Sequence, residues 1–183
     1  MNPSPDPELE LLRSGLESYL PAMNAIVAFR ERIVRQCRTV MDRYLADYAA
    51  ALSVELKTSD VYDWDGPPLS GWNGKWASLG VQLKRVGPSS AYLVLAVGWL
   101  PDDPGEYSTG VSFWASSGAP TRAAKDLFQP PPANWWDDPK SFGLSTWHTP
   151  DAAPQLEEHL TAVLEQWIEL WRKVGGLKAL SGK

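Results

Sequence analysis

A single cysteine, Cys37, stands among the 183 residues, so neither a disulfide framework nor a cysteine-based zinc knuckle can be built. Histidine is almost as scarce, and the spacing of His148 and His159 matches no metal-binding motif. Long apolar runs are missing too. The longest, Ala91 to Leu100, is about half of what a membrane-spanning helix needs. Met1 to Glu10 is acidic and proline-rich, without the basic and apolar segments of a secretory leader. A soluble, cytoplasmic protein with no membrane contact is the expectation. Positive charge is in deficit as well: Lys+Arg is 17 against Asp+Glu 22, a net charge of −5. That sign weighs against nucleic acid as a partner. No Gly-rich loop falls between a strand and a helix, so no phosphate cradle is indicated.

What the chain has in excess is tryptophan, 10 residues of 183. Some must be core, because the ring buries a large apolar area. So many rarely fit inside one small core, and Trp is also enriched at binding hot spots.

The periodicities order the chain. Residues 1–7 are expected as a flexible tail and 8–178 as a single domain. Asp6-Pro7-Glu8 reads as a helix start, with Leu9, Leu12 and Leu16 as a stripe that Pro21 kinks or interrupts. From Ala22 to Lys57 there is neither Gly nor Pro. Ile26, Ile33, Cys37, Val40, Tyr44, Tyr48 and Leu52 mark one face of a long amphipathic helix. Residues 58–75 break regularity with Asp, Gly and Pro. Alternation then predicts strands around Ser78–Lys84, Tyr92–Leu100 and Tyr107–Phe113, with a fourth, short one at Leu144–Trp147. Tyr92–Leu100 is apolar on both faces, as a central strand covered on both sides would be. Residues 116–145 form a long proline-bearing loop with room for a helical turn or two at Arg122–Phe128. A last helix is entered through Pro154, lined by Leu156, Leu160, Val163, Leu164, Trp167, Leu170, Trp171 and Val174, and ended by Gly175-Gly176. The expected fold is α+β: long N-terminal helices and a C-terminal helix packed on a three- to four-stranded antiparallel meander.

Catalytic constellations are weak. Glu55 and Lys57 have the Glu-x-Lys spacing of magnesium-dependent nucleases, with Asp42 and Asp47 upstream. Placed in the last turns of a helix, however, their side chains diverge. Asp60, Asp63 and Asp65 fail the calcium-loop pattern, because Val61 and Trp72 fall at its first and twelfth places. His148 is the one acid–base candidate, and His159 reads as solvated. The arginines from Arg30 to Arg43 read first as intrahelical partners of Glu31 and Asp42, with a basic docking strip as the alternative. No cofactor, metal or catalytic residue is assigned.

The remaining constellation joins aromatic and acidic residues: Asp63, Trp64, Asp65 and Trp72 in one segment, Asp102 and Asp103 at a hairpin, and Trp135, Trp136, Asp137 and Asp138 in the long loop. Rings flanked by carboxylates suit a basic protein surface, the ring anchoring and the acids steering encounter. The leading expectation is therefore a non-catalytic inhibitor-, immunity-, chaperone- or counter-defence-type module that occupies a basic protein partner. The alternative is a small-ligand domain, with Trp72, Trp76, Trp135 and Trp136 lining a cleft for a sugar or nucleobase. A metal-dependent hydrolase or nuclease ranks third. Homodimerisation through the long helix is left open.

Overall fold

The structure, a computed structural model, describes residues 7–65, 77–86, 91–100, 103–115 and 118–180. They divide into two units, one ending at Arg32 and one beginning at Ile33. Within the first, residues 7–32 are all helical. They form the start of α1 (Pro7–Leu52), whose first residue, proline, needs no N–H partner there. Two N-terminal helices were expected, and one is found. Pro21 removes a single backbone bond inside the helix, which the good helix formers on either side outweigh.

In the second unit α1 stops at Leu52, short of the expected Lys57. Ser53 turns to φ 59°, and the Val54 N–H reaches back to the Ala49 carbonyl at 3.1 Å. Glu55 and Lys57 therefore lie beyond the helix. A 3-10 turn at Thr58–Asp60, tied by the Lys57 N–H donating to the Asp60 carboxylate, leads into the sheet.

The sheet has six antiparallel strands: β1 (Val61–Asp65), β2 (Ala77–Val86), β3 (Ala91–Leu100), β4 (Asp103–Trp114), β5 (Trp135–Asp137) and β6 (Ser141–His148). Their spatial order is β1-β2-β3-β4-β6-β5. This exceeds the three to four expected strands, because β1 and β5 were missed. Both are edge strands too short to show alternation, and their neighbours' hydrogen bonds make them strands. The long loop also holds α2 (Ala119–Leu127). A 3-10 turn at Pro150–Gln155 leads into α3 (Leu156–Val174). Gly175 ends α3 at φ 81°. At Gly176 a Cβ would lie 2.7 Å from the Leu52 carbonyl oxygen, so only glycine lets the ends of α1 and α3 meet.

Residues 33–52 of α1 pack with α3 on one face of the sheet. Ile33, Cys37, Val40, Met41, Tyr48 and Leu52 join Leu160, Leu164, Trp167 and Trp171 over Leu93, Leu95, Val111, Phe113 and Phe142. Each large side chain so buried contributes about 1.5–3 kcal/mol. Within this core Tyr48 accepts from Trp167 Nε1 at 2.6 Å, whereas the buried Trp171 Nε1 has no hydrogen-bond partner among the described residues. Burial pushes the Cys37 thiol up to about 12, which makes it an inert core group. Arg38 and Arg43 pair outward rather than along α1. Arg38 donates to Asp63 at 2.6 Å and to the Val61 carbonyl, and Arg43 to Glu157 at 2.6 Å. The reading of Arg38 as an intrahelical partner is corrected: its face of α1 looks onto β1.

Candidate functional site

Side chains alternate between the faces of a sheet, and the register assigns every position. Leu95, Val111 and Leu144 stand in one row under the helices. One residue along, the opposite face carries Trp64, Gly80, Ala96, Gly110 and Ser145 in a row from β1 to β6. After the edge tryptophan every member of that row is small, so the row is a trough. At Gly80 a Cβ would overlap the Leu95 carbonyl oxygen, so the strands themselves demand glycine there.

Large rings stand beside the trough. Trp64 lies 5.8 Å from Tyr92, Tyr92 stacks on Trp114 at 6.0 Å with planes 3° apart, and Trp114 meets Trp136 edge-on at 6.5 Å. Trp147, 41% exposed, lines the same space from β6. The result is a cleft of about 760 Å3, within the size range of small-molecule sites.

The cleft's chemistry follows from its lining, which among the described residues holds no Asp, Glu, Lys, Arg or His. Three of its hydroxyls bond within their own chain: Ser78 Oγ accepts from Trp64 Nε1, Ser112 Oγ accepts from Trp114 Nε1, and Ser108 Oγ donates to the Gly98 carbonyl, while Ser145 and Tyr92 also line the space. Burial raises the Tyr92 phenol above its usual range, so it stays neutral. The walls thus present π faces and small apolar groups, without a general acid, base or metal ligand. Among the described residues, no three His, Cys, Asp or Glu side chains gather where they could hold a metal ion.

The expected site residues are dispersed. Trp64 and Trp136 come to one face, joined through Tyr92 and Trp114. Trp135 is turned toward the other face, 5.3 Å from Phe142 and 5.4 Å from Phe128, though it also edges the cleft. Asp63 is paired with Arg38. Asp137 pairs with Lys125 at 3.0 Å and accepts from Trp135 Nε1. Asp138 closes a turn by accepting from the Lys140 and Ser141 N–H groups. Asp63 on β1 and Asp137 on β5 sit on opposite edges, five strand spacings or about 24 Å apart. Asp65 and Asp103 end β1 and begin β4. Trp72, Trp76 and Asp102 lie outside the described residues.

Sequence reasoning missed Tyr92, Trp114 and Trp147. A signal existed: Tyr92, Val94, Ala96 and Gly98 alternate with the core residues of β3, and a second apolar face is what a cleft wall requires. That face had been expected to be covered at least in part, and on it Val94 and Gly98 are buried while Tyr92 and Ala96 are half-buried. Both helices that bury the sheet lie on its other side, and the aromatic rings border this face instead.

The histidines do meet. His148 stacks on His159 at 3.8 Å with planes 2° apart, bonded to Thr109 Oγ1 at 2.9 Å, while His159 Nδ1 contacts the Tyr107 hydroxyl at 3.2 Å. His159 is therefore half-buried rather than solvated. Desolvation first, and the neighbouring His159 charge second, hold His148 below its ordinary pKa. The pair is not part of the cleft lining.

No protein-family model, curated protein or solved structure matches the chain.

Proposed function

We propose that residues 33–180 form a non-catalytic binding domain that takes a neutral, planar, largely apolar small molecule in the cleft on the open face of the sheet. The observation that carries this is the line of rings from Trp64 through Tyr92 and Trp114 to Trp136, flanking a trough of small residues in a lining whose described residues bear no formal charge. A flat ligand lying along the trough would face those rings, each such contact being worth about 1–3 kcal/mol. Within the sugar-or-nucleobase alternative, the line of rings favours the base, whose flat π face stacks on them. An anion or cation would lose its hydration without compensation.

The test is tryptophan fluorescence titrated with 1-naphthol and adenosine, against naphthalene-1-sulfonate and adenosine monophosphate. Binding of a neutral compound, weakened about tenfold or more by Trp114→Ala, supports the reading. A flat response to all four, or equal affinity for the charged compounds, sinks it.

Capture of a basic protein surface by acidic loops has less support. Asp63, Asp137 and Asp138 already serve partners in their own chain, and they do not share one patch.

A further inference from the structure

Residues 7–32 carry an apolar stripe that this unit leaves exposed. Leu12, Leu16, Tyr19, Met23 and Ile26 follow one another at steps of four, three, four and three. Leu12, Tyr19 and Ile26 are 60, 57 and 59% exposed. This alternation of four and three is a 3.5-residue period, the seam of a left-handed coiled coil, with Leu11, Val27 and Phe29 exposed at positions around it. Pro21 falls at the heptad position on the side away from the seam, where its missing N–H does not disturb the contact.

The charges name the occupant. Glu8, Glu10 and Glu17 against Arg13 make the beginning of residues 7–32 negative, and Arg30 and Arg32 against Glu31 make its end positive. A parallel pair of copies would set acid beside acid and stack Arg30, which continues the seam, on its own equivalent. An antiparallel pair reverses both defects. We infer that two copies of this chain associate antiparallel through residues 12–30 of α1, about a twofold axis near Pro21. In that register Leu16 meets the partner's Ile26, and Tyr19 meets the partner's Met23. Leu12 meets the aliphatic stem of the partner's Arg30, and Glu10 lies near the partner's Arg32. Each contact is made twice, as an isologous interface requires. A lipid surface fits less well, because the unit has four acids against three arginines and lacks the basic face that anionic membranes hold.

Sedimentation of the full chain over a wide concentration range tests this. The expected result is a dimer that Leu16→Glu with Ile26→Glu weakens more than about tenfold, with the near-ultraviolet dichroism of the tryptophans unchanged. Oxidative cross-linking tests the register, since Cys37 is buried and stays out of the reaction. A Leu16→Cys chain mixed with an Ile26→Cys chain should form a disulfide-linked pair that neither forms well alone. A monomer at every concentration overturns the inference. Efficient self-linking of Leu16→Cys, the parallel result, overturns it as well.

Discussion

Alternate residues of the same strands build two very different surfaces. On β3, Leu93, Leu95 and Val97 are buried beneath α1 and α3, whereas Tyr92 and Ala96, one step out of phase, border an open cleft. The buried face is crowded with Phe113, Phe128, Phe142, Trp167 and Trp171, ring against ring at 5.2 to 6.4 Å. On the open face the rings form one line from Trp64 through Tyr92 and Trp114 to Trp136, and the row Gly80, Ala96, Gly110 and Ser145 holds only glycine, alanine and serine on β2, β3, β4 and β6. One pattern fills volume and the other leaves it. The tryptophans are therefore divided between two places, Trp167 and Trp171 in the helix-covered core and Trp64, Trp114, Trp136 and Trp147 around the cleft.

That division is open to direct attack. The largest effect should come from Trp167→Ala, which empties a fully buried ring site and strands the Tyr48 hydroxyl. A loss of about 3–5 kcal/mol in urea unfolding is expected. A loss below that of an ordinary surface change would show that the helix-covered face is not the main source of stability. Ala96→Leu is the converse. It should fill the trough and abolish binding of 1-naphthol or adenosine while shifting unfolding by at most about 1–3 kcal/mol, the usual range for an added group. Undiminished binding would move the ligand off this face.

A smaller effect concerns acid. Because His148 is held below its unfolded pKa, the unfolded chain takes up its proton first as pH falls. Stability should decline as pH drops through the unfolded histidine range toward the lower folded value, and be regained above it. Denaturant midpoints measured from pH 7.5 to pH 5 should show this slope, and His148→Gln should flatten it. Smallest is Asp63→Asn. Its pair with Arg38 is about half exposed, so unfolding should change by about 0.2–1 kcal/mol, with ligand affinity untouched.

Much of the architecture was readable from local patterns. The 3.6-residue stripe Ile33–Cys37–Val40–Tyr44–Tyr48 and the α3 stripe from Leu156 to Val174 each mark a helix, and the alternation around Leu79–Leu83 and Tyr107–Phe113 marks strands. Cys37 as a core hydrophobe follows from its place on the stripe. The end of α1 did not follow, because nothing in Ser53-Val54-Glu55-Leu56-Lys57 forbids another turn of helix. Of the candidate site, Trp64 and Trp136 were visible as unusual residues, but their common surface was not.

The difference is one of range. Helix stripes and strand alternation arise from backbone geometry within a few residues, so composition, class and the main elements lay in the sequence itself. Strand order and register bring together residues far apart along the chain. A shift of one residue in any pairing would have sent Trp64 or Trp114 to the opposite face. Only the folded sheet, by setting that parity across six strands, decided that Trp64, Trp114, Trp136 and Trp147 came to line a cleft while Trp135 turned toward the core.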